Sequence, residues 1–307
     1  MKQTKMTARF PALLLAVLLL LTGCTAKREP GTPATQEETA NVQIGTVPTD
    51  DFSMQYLRFG KGTQTFVILP GLSVQSVMGS AAAVRDAYAP LADACTIYLL
   101  EPRTDLPDRY TIADMADDAA AALEALGLQN VCLFGVSQGG MIAMETAICY
   151  PDLVHKLILG STAARETETL AQTLETWVEL AARADAEALY LAFGEALYSQ
   201  EVFEQSRDLL TETAKTVTEQ DLQRFVALAS TIHGFDAVQE LAAVSCPVLV
   251  IGDSDDRVLG NGASQQIAEL LQGHTEVTLY MYEGYGHAVY DTAPDYKDRL
   301  LQFLSAS

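Results

Sequence analysis

The sequence predicts a doubly wound, mostly parallel α/β sheet with a helical cap inserted late in the chain. Three observations carry that expectation. Short β-rich runs alternate with amphipathic stretches from residue 54 onward. The middle runs are continuously apolar, as strands covered on both faces must be. Residues 163–243 interrupt the alternation with helical spacing alone.

The strands are expected at Met54 to Phe59, Thr65 to Leu69, Thr96 to Leu100, Val131 to Phe134, Leu157 to Leu159, Val248 to Ile251 and Val277 to Tyr282. Thr111 with Asp114 reads as a capping box, and Gly127 is placed to close that helix. Thr292 with Asp295 repeats the start signal near the C-terminus, and Asn261 and Gly273 bracket another helix. Strands and helices at this spacing build parallel crossover units. Within the insertion, helices are expected at Thr167 to Ala184, Asp185 to Tyr198, Val202 to Ala214 and Glu219 to His233. About 80 residues are too many for a simple connection, so a cap over one end of the sheet is expected. Trp177, Tyr190, Phe193, Tyr198 and Phe225 are spaced for packing between its helices. The core is therefore expected in two parts, 51–162 and 244–307.

Composition excludes several classes of function. The 307 residues carry 40 acidic and 19 basic side chains, a formal net charge of −21. A nucleic-acid binder needs a positive face for phosphates, which this balance does not supply. Hydrophobic residues make up 49% of the chain, so a packed core is affordable and general disorder is excluded. With four histidines and no Cys-x-x-Cys pair, no metal is expected.

The N-terminus reads as an address. Lys2, Lys5 and Arg9 precede an apolar run from Phe10 to Leu21, too short to span a bilayer. The run ends in Leu21-Thr22-Gly23-Cys24, which resembles the lipobox of bacterial lipoproteins. The resemblance implies a signal peptide over 1–23 and a lipid on Cys24, hence a membrane anchor on the extracytoplasmic face. Removing the leader takes three positive charges and leaves −21 − 3 = −24. Residues 24–50, rich in Thr, Pro, Gln and Glu, are expected to be a flexible tether reaching roughly 28 Å. Cys95, Cys132, Cys149 and Cys246 are expected as free, buried thiols.

The chemistry concentrates in Gly135-Val136-Ser137-Gln138-Gly139. The pattern alone is common. Here a strand runs into it and an apolar helix, Gly140 to Tyr150, runs out of it to Pro151. A strand-turn-helix of this kind exposes the serine hydroxyl at a strand tip. A hydroxyl needs a base to become a nucleophile. His155, His233 and His274 fall at an edge strand, in the cap and in a turn. His287 stands in Glu283-Gly284-Tyr285-Gly286-His287, straight after the last strand, at the edge where open α/β sheets bind ligands. An acid must orient that imidazole, and Asp253, Asp255 and Asp256 all follow the strand ending at Ile251.

These residues resemble the α/β-hydrolase fold family from about residue 54 to the C-terminus. The order Ser, Asp, His along the chain fits that family. The resemblance carries the acid to Asp255, three residues after the strand-end Gly252, with Asp256 second. It places the oxyanion hole at the amides of Gln138 and Leu72, the latter in Leu69-Pro70-Gly71-Leu72. It implies a serine hydrolase acting on a small-molecule ester or related acyl bond, with no cofactor. Two motifs depart from the family pattern: Pro70-Gly71 stands where many members have His-Gly, and Glu101-Pro-Arg-Thr-Asp-Leu-Pro replaces a glycine-rich loop. Carbon–carbon bond hydrolysis or a haloperoxidase-like perhydrolase reaction would use the same triad. A lipid-anchored binding module without turnover is the reading from another class.

Overall fold

The computed structural model describes residues 42–306. Cys24 and the leader lie outside the described residues. Eight strands form one sheet: β1 (Gln43–Pro48), β2 (Ser53–Gly60), β3 (Gln64–Leu69), β4 (Cys95–Leu100), β5 (Val131–Val136), β6 (Val154–Gly160), β7 (Val248–Asp253) and β8 (Val277–Tyr282). Their spatial order is β1-β2-β4-β3-β5-β6-β7-β8. The β1–β2 and β2–β4 pairs are antiparallel and all others parallel. The mostly parallel α/β sheet expected from the sequence is therefore observed.

The strand β1 corrects the sequence reading, which placed 43–48 in the tether. Gln43–Pro48 pairs with β2 along its whole length, although only Val47 is buried. Its hydrogen bonds, rather than an apolar face, hold it on the edge. Such a strand leaves little pattern in the sequence.

Each central strand divides its side chains between two faces, because successive residues point opposite ways. Leu133 of β5 packs in one apolar layer and Phe134 in the other. Val67 and Leu69 of β3 alternate with Phe66 and Ile68 in the same way. Helices α1 (Ala81–Tyr88) and α10 (Tyr296–Ser305) cover one face through Val84, Tyr88, Leu300 and Leu304. Helices α2 (Ile112–Ala125), α3 (Gln138–Cys149) and α8 (Ala263–Leu271) cover the other through Met115, Met144 and Ile267. Phe134 touches Phe66, Tyr88 and Tyr296 at ring separations of 5.9, 6.4 and 6.3 Å, which pins α1 and α10 against the strand carrying the elbow.

The helix ends follow their sequence signals with one exception. Thr111 and Asp114 form a reciprocal capping box on α2. Gly127 takes φ +68°, and the Leu128 amide donates to Leu123 O at 2.8 Å, closing the helix in a Schellman turn. Thr292, expected to start a helix, instead ends the short α9 (Val289–Thr292), with its hydroxyl on Ala288 O. Helix α10 begins after Asp295 without a side-chain cap. All four described cysteines are free. Cys95 and Cys132 are buried and Cys246 partly so, but Cys149, the last residue of α3, is exposed.

The insertion holds α4 (Glu168–Ala182), α5 (Ala186–Leu197), α6 (Gln200–Ala214) and α7 (Glu219–Ser230). Its centre is aromatic. Trp177 lies 4.2 Å from Phe193, and Phe193 lies 6.1 Å from Phe225. All three are buried, so they hold helix to helix rather than face a ligand. Trp177→Ala is expected to cost about 3–5 kcal/mol of stability. Urea denaturation compared with the surface variant Ile44→Thr, expected within about 0.5 kcal/mol of wild type, checks this.

Candidate active site

Helix α3 starts directly from β5, and Ser137 is the hinge between them. Its φ of 53° and ψ of −122° are unfavourable for a residue with a side chain. The surroundings impose that backbone. A Cβ on Gly139 would stand 2.0 Å from Leu69 O, and one on Gly135 would stand 2.2 Å from Gly139 O. Only glycine permits strand and helix to approach so closely. The Ser137 amide donates to Gly160 O at 3.0 Å, and Thr162 Oγ1 donates to Ser137 O at 2.7 Å. The serine is thus held from both sides, and its side chain keeps partial exposure.

The four described histidines separate cleanly. His155, His233 and His274 are exposed, whereas His287 is 3% exposed. His287 Nδ1 lies 2.8 Å from Asp256 Oδ2. The other oxygen of Asp256 accepts from the amides of Val258 and Leu259, both at 2.9 Å. That carboxylate is buried and fully satisfied, which fixes its orientation toward the imidazole.

Asp255, the residue carried over from the family pattern, does not meet His287. It is exposed, and its amide donates to Asp253 Oδ1 at 2.8 Å. The turn after β7 runs one residue longer than the assumed spacing, so Asp256 faces inward. Asp253 itself is a structural link. Its second oxygen accepts from the Tyr285 amide at 3.0 Å, joining the loop after β7 to the loop after β8. The three acids have three separate environments that the sequence alone did not distinguish.

Ser137 follows β5, Asp256 follows β7 and His287 follows β8, so all three lie at the carboxyl edge of the parallel strands. Among the described residues, Ser137 Oγ makes no hydrogen bond with His287. Bonds of that kind in unliganded hydrolases commonly close only around substrate.

The proposed amide donors flank the serine. Gln138 opens α3, where a helix leaves its first amides without partners in its own turns. The turn after β3 lies against the elbow, since a Cβ on Gly71 would stand 3.1 Å from Ser137 Cβ. Leu72 follows in that turn and is partly exposed. Pro70, Gly71 and Leu72 also line a cavity of about 60 Å³ with Val136, Leu197 and Asp291.

Several positioning residues carried no motif. Glu101, at the tip of β4, is buried and accepts from Ser76 Oγ at 2.8 Å and the Val77 amide at 2.9 Å. It anchors the segment that continues from the Gly71 turn. Burial pushes its carboxyl above the ordinary range, against the lowering effect of those two bonds. Arg224 of α7 donates to the carbonyls of Pro102, Arg103 and Thr104, each at 2.9 Å. Gln138 Nε2 donates to Leu228 O at 2.7 Å and Thr231 Oγ1 at 2.8 Å. The Ala288 amide donates to Leu197 O at 2.9 Å, and the Arg257 guanidinium donates to Tyr198 O. Helices α5 and α7 therefore rest on the loops after β4, β7 and β8 and on the start of α3, over the carboxyl edge rather than on a flank. Glu101 departed from the family pattern in sequence, and its buried bonds supply the reason.

Comparison with known proteins agrees with this architecture. Residues 93–294 match the family model for the alpha/beta hydrolase fold. Proteins named putative carbamate hydrolase RutD are among the relatives. The one from Caulobacter sp. (strain K31) is 27% identical over 207 residues, covering 65% of this chain and 75% of its own. That of Serratia proteamaculans (strain 568) is 28% identical over 193 residues, covering 61% and 70%. Among solved structures, MGS-M2, an alpha/beta hydrolase enzyme from a Medee basin deep-sea metagenome library, aligns with a TM-score of 0.75 at 20% identity. It covers 86% of this chain and 98% of its own. The enol-lactonase from Burkholderia xenovorans LB400 aligns at 0.71 and 17% identity, covering 85% and 100%. With its elbow, its sheet order and a matching segment spanning most of the sequence, the chain belongs to the alpha/beta hydrolase fold family.

Proposed function

We propose that the protein is a serine hydrolase of carboxylic esters or related acyl bonds, carbamates included. One observation carries this reading: a buried Asp256–His287 pair, its carboxylate fully satisfied, at the same sheet edge as a serine held at positive φ. Ser137 Oγ attacks the carbonyl carbon while His287 Nε2 takes its proton. Asp256 holds the imidazole with Nδ1–H toward itself and stabilises the cation that forms. The amides of Gln138 and Leu72 receive the negative oxygen of the tetrahedral intermediate, at roughly 3–4 kcal/mol for each well-placed donor. The leaving group takes the proton from His287, and water then releases the acyl group by the same steps in reverse order.

The strained elbow argues against a binding module without turnover. Backbone strain of about 1–3 kcal/mol is retained where function uses it. The names of the relatives support carbamates within the acyl class. We also propose that a lipid on Cys24 tethers the folded body to a membrane, on the strength of the leader and its terminal Leu-Thr-Gly-Cys. Mass spectrometry of protein made in bacteria is expected to find an N-terminus at a diacylglyceryl-modified Cys24. A retained Met1 would contradict the anchor.

A fluorophosphonate probe is expected to label Ser137 in the wild type and not in Ser137→Ala. Absence of labelling on folded wild-type protein would refute the catalytic reading. Asp256→Asn is expected to lower kcat on short p-nitrophenyl esters by on the order of 10³–10⁴-fold, because the imidazole loses its correct tautomer. Asp255→Asn, at an exposed position, is expected to stay within about twofold of wild type. Parallel assays of both variants decide between the two acids.

A further inference from the structure

The cavity beside the Gly71 turn contains one group that the proposed reaction does not use. Asp291 is only 8% exposed and lines the cavity together with Gly71, Leu72, Val136, Leu197 and Tyr290. Its Oδ1 has no hydrogen-bond partner among the described residues. A buried carboxylate oxygen without a partner is costly, so its retention calls for something that satisfies it. Lys297 is the cation whose charge acts on it. The Lys297 ammonium donates instead to Tyr290 O and lies 4.4 Å from the centre of the Tyr88 ring. The cavity lies beside Ser137 across the Gly71 turn: Gly71 is on its lining, and a Cβ there would stand 3.8 Å from Ser137 Oγ.

We propose that Asp291 is a specificity-determining residue that receives a primary ammonium group at the far end of a short acyl chain, with the carbonyl of that chain at Ser137. The inference rests on the serine-hydrolase reading. About 60 Å³ accommodates a handful of heavy atoms, at roughly 10–15 Å³ per water-sized site. That selects short acyl groups. The walls other than Asp291 are largely apolar and suit methylenes, with Ser73, Tyr88 and Tyr290 the other side chains on the lining that carry a hydroxyl. A chain of net charge −21 also concentrates cations near its surface. An ammonium would give Oδ1 a charge-assisted partner that no described residue provides.

The carboxyl is also sensitive to pH. Burial pushes the Asp291 carboxyl above the ordinary carboxylate range, while the Lys297 ammonium pulls it down; burial in turn lowers Lys297, against the pull of Asp291. The other titratable groups around it are the phenols of Tyr88, Tyr198, Tyr290 and Tyr296, all raised by burial and therefore neutral there. Above its raised pKa Asp291 is a carboxylate and attracts an ammonium. Below it the group is neutral, and that attraction is lost.

The test compares p-nitrophenyl 3-aminopropanoate with p-nitrophenyl butanoate, whose acyl groups are the same length and end in ammonium or methyl. Wild type is expected to favour the amino ester in kcat/KM by about tenfold or more at pH 8, with the ratio falling toward pH 6. Asp291→Asn is expected to bring the ratio to about one and flatten its pH dependence, and Asp291→Leu to reverse it. A wild-type ratio of one or below would overturn the proposal. An unchanged ratio in Asp291→Asn, or an equal loss on both esters, would do the same, the last marking a purely structural role. Titration of Ser137→Ala with 3-aminopropanamide and butanamide reads the subsite without turnover. A tenfold preference for the amine, lost in Ser137→Ala/Asp291→Asn, supports it, and equal binding refutes it. A probe that fails to label Ser137 while the amine preference persists defeats the hydrolase reading and leaves the subsite standing.

Discussion

The site depends on the contact between the backbone at Gly139 and the carbonyl end of β3. That contact forces the chain through Ser137 at positive φ, because β5 and α3 then have no room to meet by a gentler turn. It also places the Gly71 turn against the serine Cβ. Position of the candidate nucleophile and position of one candidate amide donor are therefore fixed together. The two hydrogen bonds on the Ser137 backbone, from Thr162 and to Gly160, add direction to what close packing has already imposed.

Built above this edge, the four cap helices work as a clamp more than as a lid in isolation. Arg224 reaches down to three successive carbonyls after β4, and Gln138 reaches up to the end of α7. Because Gln138 also opens the helix after Ser137, one residue links the elbow to the cap. The aromatic centre formed by Trp177, Phe193 and Phe225 joins three of those helices, α4, α5 and α7.

Much of this was legible in the sequence, for reasons that can be traced to particular residues. Continuously apolar runs such as Val131 to Phe134 and Val248 to Ile251 marked strands buried on both faces, and they are. Ser137 was legible because flanking glycines at a strand-helix junction have a steric meaning, and His287 because its glycine-rich loop follows the last strand. Three features were not legible. The edge strand Gln43–Pro48 is held by hydrogen bonds that leave no alternation of buried and exposed residues. The choice of Asp256 over Asp255 depends on the path of one turn, which composition does not encode. Glu101, Arg224 and Asp291 act through contacts with residues distant along the chain, so no local pattern announces them.

Asp253 binds one amide from each of two loops, at Asp255 and at Tyr285. Those loops carry the imidazole and the carboxylate that touch in the candidate site. A single buried side chain thus makes the two loops one mechanical unit, and thermal motion displaces the pair together rather than pulling it apart. Sequence drift in either loop is consequently constrained by the other: an insertion that suits the acid's turn must still leave the histidine's turn within reach of the same carboxylate.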